Sequence, residues 1–183
     1  PEGRSVEIRV VFPDDDPVQF GQEMLLVHRG TYRYRLFVPP GYQSNPGKRY
    51  PCLFILGADT NRPLGGVADR MSRDRWIVIE IPGPETEPPE ATVAGFIAAH
   101  DDALQRVRIQ PELKFIMGTG EEARRASLLA GMRRGFAGII CRNAFFARWQ
   151  NRDASGYHLQ ALQQNTNLLI GCIVQGKAAE MQD

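Results

Sequence analysis

Two short and almost wholly apolar runs, "YPCLFILG" at residues 50–57 and "RWIVIEIP" at residues 75–82, constrain this chain more than any other feature. A strand with one wet face alternates apolar and polar side chains. These runs do not, so each must be covered on both faces. That requires a sheet flanked by helices, and amphipathic stretches alternate with the apolar runs along the chain. The expected fold is therefore α/β, a three-layer α/β/α arrangement around a mostly parallel, doubly wound sheet. The runs "SVEIRVVF", "EMLLVHRG" and "YRYRLFVPP" leave no room for helices between them, which predicts antiparallel strands at the N-terminal edge. With 183 residues, 43% hydrophobic and 23% charged, one core suffices, and residues 1–183 are expected to form a single domain.

Residues 92–107 place Val93, Phe96, Ile97, His100, Leu104 and Val107 on one helical stripe, making His100 a core-edge histidine with a hydrogen-bond partner. Further on, "LKFIMG" reads as a strand, "EEARRASLLAGMRR" as a helix and "FAGIICRNAF" as a strand. A short helix "GYHLQALQQ" and a last strand "TNLLIGCIVQG" follow. Between the two apolar runs, "ADTNRPLGGVADRMSRD" reads as loop with room for a short helix, and "IPGPETEPPEAT" as a surface loop. The 22 basic and 21 acidic residues leave a net charge of +1, so nothing attracts nucleic acid or an anionic membrane. No apolar window reaches the roughly 18 residues of a membrane span. The opening "PEGRSVEIRV" lacks the build of a signal peptide, so a soluble domain is expected, its compartment left open.

Cys52, Cys141 and Cys172 each lie in an apolar run without a C-x-x-C pair, and read as small buried thiols. No cofactor and no metal are expected. The adjacent residues of "HDD" at 100–102 diverge on a helix, Asp14, Asp15 and Asp16 suit a solvated turn, and Gly65 and Gly66 lack the lysine and serine of a phosphate loop.

The stretch "LKFIMGTGEEARRASLLAGM", residues 113–132, has the form of a strand passing through a tight glycine turn into a helix. With the element order and the phrase "YRLFVPPGYQSNPGKRYPCLFILG" at residues 34–57, it resembles the α/β-hydrolase superfamily, in particular esterases of the polyhydroxybutyrate depolymerase and feruloyl esterase type. The resemblance implies a G-x-S-x-G elbow that lifts a serine to the start of a helix. The matching residues are Gly118, Thr119, Gly120, Glu121 and Glu122. The first glycine stands, the serine is glycine and the last glycine is glutamate. The resemblance also implies a His-Gly phrase at the oxyanion hole, here Leu56 and Gly57, and an acid where Ala179 stands, one residue before Glu180. It places the catalytic histidine after the last strand, whereas His28, His100 and His158 lie elsewhere, and it implies a sheet without its last strand and helix.

Gly120 carries no nucleophile, and removing the serine of a well-studied triad costs roughly a millionfold in turnover. Glu121 and Glu122 suit a helix N-terminus but oppose a developing oxyanion. Substitutes are weak: Thr119 should point away, Ser127 lies two turns into the helix, and Cys141 sits among apolar residues that suppress its thiolate. The expectation is a catalytically degenerate α/β-hydrolase-like domain with a binding or structural role rather than an enzyme. The alternative is an active carboxylic ester hydrolase whose nucleophile lies elsewhere or whose triad is completed from outside the chain. An open edge near "TNLLIGCIVQG" predicts a homo-oligomer or a protein partner. The helix face with Arg124, Arg125, Arg133 and Arg134, followed by "NAFFARW" at residues 143–149, is the candidate surface, with a solvated face over core aromatics as the simpler alternative. A small-molecule ligand is equally compatible.

Overall fold

In this computed structural model the described residues are 18, 20–28, 32–58, 75–83, 89–133, 135–143 and 169–173. The alternation in "YRYRLF" forms β2 (Tyr32–Phe37), which buries Tyr34 and Leu36 and pairs antiparallel with β1 (Glu23–His28) from Glu23↔Phe37 to His28↔Tyr32. The two apolar runs become β3 (Tyr50–Ala58) and β4 (Ile77–Pro82), which pair in parallel. Helix α1 (Pro89–Arg106) leads to β5 (Ile109–Thr119), α2 (Glu121–Met132) leads to β6 (Phe136–Arg142), and β7 (Leu169–Ile173) is the last described strand. The seven strands lie in the order β1-β2-β4-β3-β5-β6-β7, antiparallel at β1, β2 and β4 and parallel from β4 to β7.

This order turns about β3. The chain leaves β3 for β4 on one side, then returns through α1 to β5 on the other, so the carboxyl ends of β3 and β5 flank the switch point where doubly wound sheets bind their ligands. Cys52, Phe54 and Leu56 of β3 share a sheet face with Ile116 of β5 and with Ile139 and Cys141 of β6. That face forms one core with Phe96, Ala99 and Ala103 of α1 and with Ala123, Ala126, Leu129 and Ala130 of α2. Both described helices therefore cover the same face. On the other, Phe37 and Val78 pack with Ile55 and Trp76; no described helix covers this face, and the expected second helical layer falls outside the described residues.

Two expectations need correction. The buried stripe of α1 is Phe96, Ala99, His100 and Ala103, continued by Val107 just past its end, whereas Leu104 is exposed. Small alanines at its centre let α1 approach the sheet closely, and the larger Leu104 turns out. Cys172 is exposed rather than buried, because all five residues of β7 are uncovered at the sheet's edge. Several expected features lie outside the described residues: the strand "SVEIRVVF", residues 59–74, the helix "GYHLQALQQ", Asp14 to Asp16, Arg134, residues 144–149, His158, Ala179 and Glu180. No described helix is long and apolar enough to cross a membrane.

Candidate functional site at the switch point

Strand β5 delivers the chain to its carboxyl end at Thr119, and α2 begins at Glu121, so one residue must make the whole turn. Gly120 makes it with φ 60° and ψ −125°, a conformation that side chains with a Cβ adopt only under strain. Its N–H donates to the Arg142 carbonyl at 2.9 Å and its carbonyl accepts from the Ala123 N–H at 3.1 Å, tying the turn to β6 and to the first turn of α2. A Cβ added to Gly120 would meet nothing within 4 Å, so the bend opens onto free space. Gly118 is the opposite case. A Cβ there would lie 2.2 Å from the Glu122 carbonyl oxygen, so only glycine lets α2 start this close to β5.

Glu122, two residues after the bend, folds back over the end of β3. A Cβ on Gly57 would lie 2.5 Å from Glu122 Cγ, and one on Gly83 would lie 3.8 Å from Glu122 Oε1. The carboxylate therefore rests over the carboxyl ends of β3 and β4. Leu56 is buried there, and Gly57 has φ 75°. Oε1 accepts from Arg125 Nη1, whereas Oε2 is buried with no hydrogen-bond partner among the described residues. Burial pushes the Glu122 carboxyl up from its ordinary value of 4.5, the Arg125 guanidinium opposes this, and neighbouring Glu121 adds to it. Glu121 is more exposed and pairs with Arg124 at 3.2 Å.

The raised Glu122 carboxyl has a consequence for stability. The folded chain holds this proton more tightly than the unfolded one, so ionising Glu122 lowers stability as pH rises from about 4.5 through the higher folded-state value. Glu122→Gln removes that loss. The difference in melting temperature between variant and parent should be more favourable to the variant at pH 7 than at pH 4, and a difference that does not change with pH would mean the carboxylate is not desolvated.

The remaining sequence candidates are not brought into this site. Thr119 is exposed beside the turn. The Ser127 hydroxyl is buried and donates to the Arg124 carbonyl at 2.7 Å. Burial pushes the Cys141 thiol up to about 11, with Cys172 contributing to the rise. On the basic face Arg124 pairs with Glu121, Arg125 with Glu122, and Arg133 donates to Asp101 at 3.0 Å. Among the described residues no cluster of His, Cys, Asp and Glu could hold a metal ion.

His100 belongs to a separate buried group. Its ring packs against Phe54, Phe96 and Phe136 at 5.3, 5.8 and 5.9 Å between centroids. Nδ1 contacts Asp101 Oδ1 at 2.8 Å and Nε2 contacts Lys114 Nζ at 3.4 Å. Lys114 donating to Nε2 leaves the proton on Nδ1, which donates to Asp101. Burial lowers both the His100 and Lys114 pKa values. Lys114 is four residues before Gly118, about 13 Å back along the strand. This group therefore cannot serve chemistry at the turn. No spacing in the sequence linked His100 to Lys114, since they meet only through sheet packing.

The overall fold of the chain recurs in solved structures. A ferulic acid esterase superposes with a TM-score of 0.54 at 12% identity, over 87% of this chain and 91% of its own. The fold is α/β-hydrolase-like. S-formylglutathione hydrolase from Staphylococcus aureus matches at TM-score 0.54 and 12% identity, covering 82% of this chain and 78% of that one. The AtxE2 isopeptidase matches at TM-score 0.55 and 14% identity over 84% of this chain, which spans only 35% of that longer protein. No family model and no curated protein sequence matches the chain.

Proposed function

We propose that this α/β-hydrolase-like domain is catalytically degenerate and serves in binding or a structural role. The observation that carries the proposal is the Glu122 side chain lying over Gly57, beside a Gly120 turn that is shaped for a nucleophile but has none. In hydrolases of this fold the oxyanion is held by the N–H after the nucleophile and by one after the third strand. Here those places are Glu121 and the end of β3. A carboxylate about 4 Å from a developing oxyanion would repel it by roughly 4 kcal/mol at an effective dielectric of 20, near a thousandfold in rate. The same buried, unpartnered oxygen suits a ligand that brings a hydrogen-bond donor, and the switch point is where such a ligand would enter.

The test is turnover of short-chain aryl esters and labelling by a serine-directed organophosphonate, using the parent chain and Gly120→Ser. Both should be inert. The variant should nevertheless fold, because its Cβ meets open space and the positive φ costs only about 1–2 kcal/mol. Labelling of the parent chain overturns the proposal and identifies the true nucleophile, as an active ester hydrolase would require.

The reading of a homo-oligomer or protein partner rests on β7. Among the described residues no strand pairs with its outer edge, and Leu169, Ile170 and Ile173 are exposed there. Such an edge can add a strand from another chain. Sedimentation at micromolar concentration that finds only a monomer would remove self-association.

A further inference from the structure

The strand register sets Cys141 of β6 directly opposite Cys172 of β7 in a parallel pair. Side chains of register partners emerge on the same face, and neighbouring strands lie about 4.8 Å apart, inside the roughly 4.4–6.8 Å between Cα atoms that a disulfide spans. The Cys141 thiol donates to the Ala123 carbonyl at 3.9 Å, and the neighbouring Cys172 sulfur adds to the rise of its pKa. Cys172 is exposed whereas Cys141 is buried, and Cys52, the remaining cysteine, is buried on β3. From this juxtaposition we infer that Cys141 and Cys172 form a dithiol–disulfide site, closed by small-molecule disulfides and stapling β7 to the sheet.

The chemistry runs in two exchanges. The exposed Cys172 thiolate attacks one sulfur of a small disulfide RSSR, forming a mixed disulfide and expelling RS⁻. The Cys141 thiolate then attacks Cys172 Sγ, forming the Cys141–Cys172 bond and expelling the second RS⁻. Two protein thiols are oxidised, RSSR is reduced, and the two protons leave with two RSH. Burial and the neighbouring sulfur hold the Cys141 thiol near 11, so the second exchange is slow at neutral pH and should speed up about tenfold per pH unit below that value.

The position gives the bond a consequence. Cys141 pairs on its other side with Gly118, the glycine on which α2 sits. Close by, Gly120 is tied to Arg142, and the Asn143 N–H donates to the Ile173 carbonyl at 2.9 Å. Oxidation would thus fix the exposed edge strand one residue row from the turn, whatever role the turn serves.

The purified chain is incubated with oxidised glutathione at about pH 7.5 and about pH 8.5, alkylated, digested without reduction and analysed by mass spectrometry, with Cys172→Ser as the exposed-site control. The expected result is a cross-linked peptide pair joining Cys141 to Cys172, loss of two of the three thiols, and closure about tenfold faster at the higher pH. The control should keep all its thiols. A stable glutathione adduct on Cys172, a Cys172–Cys172 link between chains, or no change in thiol count would each overturn the inference.

Discussion

Gly118→Ala should lower the melting temperature by roughly 6–12 °C, read by circular dichroism, more than the same substitution two residues later. The added Cβ would lie 2.2 Å from the Glu122 oxygen, 2.3 Å from its carbonyl carbon and 2.5 Å from the Ala123 nitrogen. All three are backbone atoms, so no rotamer change relieves the clash. α2 must move off β5, loosening the packing of Ala123, Ala126, Leu129 and Ala130 against the sheet. Overpacking typically costs about 1–3 kcal/mol and reaches the upper end or beyond where backbone has to shift. At about 2–4 °C per kcal/mol for a chain of this size, roughly 3 kcal/mol gives the stated fall. Gly120→Ala meets nothing within 4 Å and bears only the strain of φ 60°, about 1–2 kcal/mol. If Gly120→Ala proved the costlier change, α2 could not start as close to β5 as it does here.

That contrast also shows what sequence can and cannot convey. The central strands were legible because their apolar runs have no wet face, and the edge strands because the gaps between them are too short for helices. The turn at residues 118–122 was legible as a strand–glycine–helix phrase, with Gly120 at the bend. The course of the Glu122 side chain was not, because its contact with Gly57 joins residues far apart in the chain and depends on the spacing of α2, β3 and β4. The Cys141–Cys172 pairing was hidden for the same reason: register between β6 and β7 is fixed by the sheet, not by either strand alone. One missed signal was local. Glu121 with Arg124 and Glu122 with Arg125 stand three apart on a helix, a spacing that predicts the observed pairing.

Asp102→Ala should cost about 3–5 kcal/mol, or roughly 6–20 °C in melting temperature, through a network remote from the turn. The Tyr34 hydroxyl on β2 donates to Asp102 Oδ2 at 2.5 Å, and Arg106 Nε donates to the same oxygen at 2.8 Å. Tyr34 is fully buried and Asp102 is 6% exposed, so neither can turn to water for a replacement partner. Burial, followed by the Asp102 hydrogen bond, raises the Tyr34 pKa and keeps the phenol protonated as a donor. Truncating Asp102 removes the shared acceptor and leaves the phenol and the guanidinium facing a methyl group. The attraction itself is not the main loss. Desolvated donors deprived of their acceptor carry most of the penalty, so Tyr34→Phe should cost clearly less in the Asp102→Ala background than in the parent. Asp102→Asn retains an acceptor oxygen of nearly the same shape and should fall between the two. Additive losses from Tyr34→Phe and Asp102→Ala would show that the two side chains act independently, and that α1 is held to β2 by apolar packing alone.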